Sequence, residues 1–306
     1  AEDGTLTDPY GGIADIEARI LRHVGPAFVE DPVRILRIAR FAARFADFSV
    51  APETLDLMRR MVDEGEVDHL VPERVWQELS RGLMEAAPSR MLETLRACGA
   101  LRVLLPEVDA LFGVPQRADY HPEVDTGAHV LLALDCAARR AAPLPVRYAV
   151  LLHDLGKALT PADDLPRHPG HEARGLARVD AVSARLRAPV ECRDVARLTA
   201  RYHGDIRRGP QLRAATVVKL LEECDALRRP ERFALVLDAC ACDFHGRAGW
   251  EAQPLPAPTL FPDALATARA VDAGAIARAC SEREQIPARV HAARVAAVRA
   301  ALALTE

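Results

Sequence analysis

Apolar residues recur at helical spacing through most of this chain, and the breaks between them carry helix-start and helix-stop residues. Val75, Leu79 and Leu83 fall on one helical face with Trp76 beside them, a pattern of core packing. Ile35, Ile38, Phe41 and Phe45 pack along another helix, which opens with Asp31 as N-cap and Pro32 at the first helical position. Further helices are predicted to open at Pro52-Glu53, Pro72-Glu73 and Pro88-Ser89, with Gly65 and Gly99 where helices should stop. Residues 1–24 read as polar and turn-rich, with a short amphipathic piece over 13–21. Helices with clear signals run from Pro32 to about Pro106, a Pro-, Gly- and Asp-rich loop region covers 107–126, and a second helical block, about 127–247, carries most of the His and Asp residues. Residues 253–258, Gln-Pro-Leu-Pro-Ala-Pro, read as a stiff linker. The linker and a small helical tail, with Ile286, Val290 and Val295, fill 253–306. The predicted fold class is all-α.

Composition supports that class. Half of the 306 residues are hydrophobic, only 5% are aromatic, and long β-branched runs are missing. A net charge of −4 gives no global reason to expect nucleic acid, so any basic face must be local. Seven cysteines without paired spacing fit a reducing, cytoplasmic setting better than a disulfide scaffold, and Cys240 and Cys242 read as helix packing. No apolar stretch approaches the ~20 residues needed to cross a bilayer, and no signal peptide is visible, so no membrane partner is expected. The chain opens at Ala1 inside a motif, which reads as a fragment.

Leu151-Leu152-His153-Asp154-Leu155-Gly156-Lys157 is the run with the most chemistry in it. Adjacent side chains on a helix diverge by roughly 100°, so a shared His-Asp target calls for a helix end. There an imidazole nitrogen and a carboxylate oxygen can meet on one divalent ion. Gly156 would let the chain turn, and Lys157 offers a cation to an anionic substrate. Further candidate ligands are His129, His168, His171, His203 and Asp243, while His23, His69, His245 and His291 read as ordinary polar positions.

A second candidate lies in Glu30-Asp31-Pro32-Val33-Arg34-Ile35-Leu36-Arg37-Ile38-Ala39-Arg40-Phe41. Arg34, Arg37, Arg40 and Arg44 share one helical face. A solvated cationic face accounts for that spacing. A sharper reading pairs Asp31 with Arg34 as acceptor and planar donor for a base edge, the later arginines, Arg40 and Arg44 included, holding phosphates.

Residues 8–15 (Asp-Pro-Tyr-Gly-Gly-Ile-Ala-Asp), 21–24 (Leu-Arg-His-Val) and 30–37 (Glu-Asp-Pro-Val-Arg-Ile-Leu-Arg) together resemble the bacterial CCA-adding enzymes, tRNA nucleotidyltransferases of class II. Residues 100–115 and the His121-Pro-Glu-Val-Asp-Thr-Gly run resemble the same family. The Leu151 to Lys157 run narrows the resemblance to the multifunctional CCA protein branch, which carries an HD phosphohydrolase domain. The resemblance implies that Glu30, Asp31 and Arg34 template the incoming CTP or ATP, with Arg37 as a further nucleotide contact, and that residues 8–15 are a hinge. It implies a hinge remnant over 1–24, a neck and body over 25–112, an HD domain over 113–252 and a tail beyond. Family members place a catalytic head, Mg²⁺-dependent, before the hinge. No such sequence precedes Asp8 here, so the expectation is a fragment lacking the head or one half of a split enzyme with a separate head polypeptide.

The same resemblance implies an HD site in which His129, His153, Asp154 and a later Asp hold a divalent transition metal such as Ni²⁺, Mn²⁺ or Co²⁺. Such an ion lowers the pKa of bound water from ~15.7 toward ~7. The hydroxide would attack a phosphoester while Lys157 steadies the phosphoryl oxygens. Relatives are phosphatases, 2′-nucleotidases and 2′,3′-cyclic phosphodiesterases. Asp243 is favoured as the last ligand, and the His203 region competes with it: relatives there read His-Asp, whereas Gly204 follows His203 here and Asp205 comes one later. His171, His203 and Asp205 are candidates for a second metal or for support of the first. Expected partners are the tRNA acceptor end, CTP, ATP and a second copy of the chain in a homodimer. Two alternatives stay open, a stand-alone HD nucleotide phosphohydrolase and a non-catalytic tRNA-binding half of a split enzyme.

Overall fold

The computed structural model describes residues 7–302 and is built almost entirely of helices. The first are α1 (Gly12–Glu17), α2 (Val33–Arg44), α3 (Pro52–Asp63), α4 (Pro72–Leu83), α5 (Pro88–Ala97), α6 (Ala100–Leu104) and α7 (Pro106–Asp109). Then come α8 (Thr126–Arg139), α9 (Leu144–Leu152), α10 (His171–Arg185), α11 (Val190–Arg207), α12 (Ala214–Glu223) and α13 (Pro230–His245). The tail holds α14 (Leu260–Ala270), α15 (Ala273–Arg278) and α16 (Ile286–Leu302). Three of the four prolines expected to open a helix do so, at Pro52, Pro72 and Pro88, because the missing N–H is one that a first helical turn leaves unbonded anyway. Gly65 and Gly99 follow helix ends at φ of 80° and 84°, a conformation that costs glycine little. The N-terminus of α2 sits one residue later than expected, and Asp31 Oδ1 accepts from Val33 N–H at 3.2 Å.

Among the described residues one parallel pair of two-residue strands interrupts the helices, β1 (Ile20–Leu21) beside β2 (Ser49–Val50). It is too short to leave a period-2 signature in the sequence. Asp8 caps the first helix by accepting from Gly12 and Ile13 N–H at 2.7 and 2.9 Å.

The core is continuous. Ile35, Leu36, Met58, Leu79 and Leu92 fill the first block, and Val130, Leu134, Val150, Leu151 and Val195 the second, with α5 packed on α8 and α4 on α9 between them. Phe45, expected to pack, is 41% exposed at the end of α2. Arg147 is buried across the junction and donates to the carbonyls of Leu83, Glu85 and Ala142 at 2.7, 3.0 and 2.8 Å. In the second block α11 packs on α9, α10 and α13, which brings the ends of four helices to one cavity. α12 turns outward and packs on α14 and α16, anchoring the tail. All seven cysteines are free thiols, Cys240 and Cys242 among the buried ones. Among the described residues no helix is long and apolar enough to cross a membrane.

Candidate metal centre

His129 stands in the first turn of α8, fixed by Asp125, whose carboxylate caps the helix by accepting from Ala128 N–H at 2.8 Å. His153 and Asp154 follow the last residue of α9, the helix end that lets neighbouring side chains converge. His171 opens α10, His203 sits in α11, and Asp243 lies in the last turn of α13. Five separate helices thus aim ligand atoms at one buried volume.

Two clusters result. In the first, His129 Nε2 is 3.0 Å from Asp243 Oδ1, and His153 Nε2 is 3.8 Å from the same oxygen. In the second, His171 Nε2 and His203 Nε2 lie 3.5 and 3.6 Å from Asp154 Oδ1 and 3.2 Å from each other. Asp154 joins them, because its other oxygen, Oδ2, is 3.1 Å from His153 Nε2. The ligand atoms of each cluster fall within 4.8 Å of one another. His153, His171 and His203 each turn the second ring nitrogen to a backbone carbonyl, of Val150, His168 and Thr199. Nε2 is thereby left facing the cavity.

The residues fit a divalent metal. His153 Nε2 and both oxygens of Asp154 are buried and lack any hydrogen-bond partner of proper geometry. Such orphaned atoms cost stability unless something satisfies them, and imidazole with carboxylate is a donor set for transition ions. Although burial pushes carboxyl pKa values up, His153 and Lys157 hold Asp154, and Arg247 and His129 hold Asp243, well below the usual range. Burial holds His203 neutral, its pKa lowered to about 3. Anionic carboxylates and neutral imidazoles are the forms that ligate metals.

Glu123 and His121, which the sequence pattern does not single out as site residues, support His129. Glu123 Oε1 lies 2.8 Å from His129 Nδ1 and 3.2 Å from His121 Nδ1, and all three are buried or nearly so. Burial would raise the Glu123 pKa, but the two histidines hold it low. Val124 behind it has φ of 58°, an outlier for a β-branched residue, and this tight turn lets Glu123 face His129 while Asp125 caps α8. The sole sequence signal was the His121-Pro-Glu123 run.

Other expected residues are placed differently. His168 spends both ring nitrogens on Thr160 Oγ1 and Pro115 O, at 2.7 and 3.0 Å, and ties two loops together. Asp205 pairs with Arg208 at 2.5 Å and lies outside both clusters. Lys157 donates to Gln116 Oε1 at 2.7 Å and sets its charge 2.7 Å from Asp154 Oδ2. Gly156 has an ordinary φ of −72°. Glycine is needed there because a Cβ would come within 2.0 Å of His171 O. A Cβ at Gly204 would meet Glu172 Oε1 at 2.8 Å, so that carboxylate occupies the space beside His203.

The arginine face of α2 is not uniform. Arg37 and Arg44 are exposed, with Arg44 over the Phe45 ring. Arg34 donates to Ala27 O, and Asp31 pairs with Arg74 at 2.7 Å. Arg40 turns into the body against Glu78 and Glu85, at 2.7 and 3.7 Å, and is therefore not the open phosphate contact expected of it. Glu30 is exposed at the end of a short 3₁₀ turn.

Comparison with known proteins places these features in a family. A family model described as "Probable RNA and SrmB- binding site of polymerase A" matches residues 47–112, and the HD domain model matches 126–227. The Multifunctional CCA protein of Dechloromonas aromatica is 64% identical over 299 residues, covering 98% of this chain and 73% of that protein. The chain belongs to the multifunctional CCA protein family. The Azoarcus member is 65% identical over 298 residues, covering 97% of this chain and 72% of its own length. The chain thus spans the RNA-binding and HD regions of a family of CCA-adding enzymes. The HD match contains His129, His153, Asp154, His171 and His203, whereas Asp243 lies beyond it. Among solved structures, an apo CCA-adding enzyme gives a TM-score of 0.59 at 18% identity, covering 95% of this chain and 61% of that one. The Thermotoga maritima CCA-adding enzyme complexed with tRNA gives 0.54 at 17%, covering 96% and 67%. At such identities these two structures establish the shared fold and nothing finer.

Proposed function

We propose that this chain carries a metal-dependent phosphohydrolase site of HD type, joined to the nucleotide-templating and tRNA-binding segment of a cytoplasmic CCA-adding enzyme. The observation that carries the hydrolase reading is the convergence of His129, His153 and Asp243, with Asp154 against His153 at 3.1 Å and orphaned buried ligand atoms on His153 and Asp154. These four would hold a divalent transition ion. Asp154, His171 and His203 would hold a second, with Asp154 presenting one oxygen to each side. A bound dication supplies a hydroxide at neutral pH and offsets charge on a phosphoryl oxygen. The chain's own groups do the rest. Glu123 keeps His129 oriented, Asp243 is steadied by Arg247 at 3.2 Å, and Lys157 compensates the charge of Asp154.

The cavity beside the clusters holds about 740 Å³, room for a nucleotide, and is lined by Gln116, Lys157, His171, His203, Arg207 and Arg247 among others. Phosphomonoesters and 2′,3′-cyclic phosphates of nucleotides are the proposed substrates. Residues 25–112 are proposed to read CTP, ATP and the tRNA acceptor end through Glu30, Asp31, Arg34 and Arg37, and 113–252 to form the hydrolase domain. The chain is expected to hydrolyse 2′,3′-cyclic AMP or 2′-AMP when Mn²⁺, Ni²⁺ or Co²⁺ is added. Asp154→Ala should abolish turnover with the helical circular-dichroism signal unchanged. Full activity in that variant or in EDTA would sink the assignment.

A further inference from the structure

The cations around this cavity are mostly spoken for. Lys157 lies against Asp154, Arg117 pairs with Asp119, Arg208 with Asp205, and Arg247 with Asp243. Arg207 differs from all of them. Among the described residues no carboxylate lies within 4.0 Å of its guanidinium, and none of its side-chain donors has a hydrogen-bond acceptor. It follows His203 by one helical turn on α11 and lines the same cavity as His171, His203, Asp154 and Asp243. The single group that holds it is Tyr120, whose ring centre lies 5.3 Å from the guanidinium carbon.

A half-buried guanidinium without an anion is costly. Burial, followed by the charge of Arg247, pulls its pKa below the ordinary arginine value, yet a guanidinium remains charged at any working pH. Lys157, the cation expected to meet a phosphoryl oxygen, is already engaged by Asp154 and Gln116. Arg167 also lines the cavity without a carboxylate partner, but it is exposed; the half-buried free fork, suited to two oxygens of one phosphate, is that of Arg207.

We propose that Arg207 is the phosphate-recognising residue of this cavity, positioned by the Tyr120 ring next to the His171–His203 side of the centre. It rests on the phosphohydrolase reading and adds the group that selects a phosphate anion over a neutral ester. Tyr120 is a positioning residue, because it acts by holding the guanidinium.

The test uses inorganic phosphate as probe, titrated calorimetrically into the purified chain, metal-free and Mn²⁺-loaded. Arg207→Ala should weaken phosphate binding at least tenfold, and Arg207→Lys should recover part of it. Arg208→Ala, on the exposed neighbour, should bind as the wild type does. With 2′,3′-cyclic AMP, Arg207→Ala should raise KM by a larger factor than it lowers kcat. Tyr120→Leu should show the same KM effect in weaker form. Should Arg207→Ala fail to fold, Arg207→Gln serves in its place. Wild-type affinity for phosphate in the Ala, Gln or Lys variants overturns the assignment, even if esters are hydrolysed. A wild-type chain that binds no phosphate overturns it too. Phosphate binding that needs Arg207, in a chain that hydrolyses nothing, supports the assignment and removes the hydrolase reading instead.

Discussion

Replacing Glu123 by Gln isolates its charge from its shape. The carboxylate side chain is 5% exposed and lies 2.8 Å from His129 Nδ1, so water screens little of the interaction. Its two histidine partners keep it ionised despite burial. The 2.8 Å approach is a close charge contact rather than an aligned hydrogen bond; a buried partner that is charged rather than neutral adds about 1–2 kcal/mol, and the change removes that much from the hold on His129. At about 1.4 kcal/mol per tenfold, metal affinity should fall about 5- to 30-fold, overlapping the 10–100-fold range typical of such outer partners. Because Gln fills the same space, the melting temperature of the metal-free chain should move by no more than about 4 °C. Calorimetric titration of Mn²⁺ into both proteins, with parallel melts in EDTA, reads the two effects separately. Unchanged affinity in Glu123→Gln would refute the claim that Glu123 sets His129 for a metal. A large drop in metal-free stability would instead make the residue a piece of scaffold.

Arg147→Met should destabilise the chain by about 3 kcal/mol, because it strips a charged donor from three carbonyls at the block junction; urea melts would show it, and a change under 1 kcal/mol would contradict it. Arg34→Ala, in a chain fused to a nucleotidyltransferase head, should leave tRNA affinity nearly unchanged while removing ordered C, C and A addition; normal addition would leave the arginine face as solvated surface. Burial holds His121 and His203 at about 3, below the ordinary 6.5, so as pH falls from 6.5 toward 3 the unfolded chain takes up protons that the folded one refuses. His153, whose pKa is raised by Asp154 against burial, works in the opposite sense, its contribution being lost as pH rises above 6.5. Burial lowers His168 as well, and with three groups against one the EDTA-treated chain should denature at lower urea at pH 5 than at pH 7.5; a higher midpoint at pH 5 would contradict this.

The helical frame was legible because proline and glycine punctuate it and because apolar faces keep their period through α2, α4 and α5. The His153-Asp154 pair was legible as a helix-end constellation, and Asp243 as a carboxylate at a distance. Glu123 was not, since it lies in an aperiodic loop and owes its direction to a left-handed backbone at Val124 that no residue type announces. Arg40 and Lys157 each meet a carboxylate that the sequence did not announce, for one shared reason. Spacing shows which face a cation occupies but not which carboxylate, Glu78 or Asp154, awaits it from a distant helix or turn. The reverse held for Arg207, whose importance lies in a partner it lacks. Departure from the relatives' His-Asp at Gly204 spoke against His203, yet α11 still delivers that ring to Asp154.

The most direct test of the metal centre is an anomalous difference map from a crystal of the wild-type chain soaked in Mn²⁺. The expected map has a peak ligated by His129, His153, Asp154 and Asp243, with a weaker second peak at Asp154, His171 and His203. A map with no peak at those residues, or with manganese held only by His121 and Glu123, would contradict it.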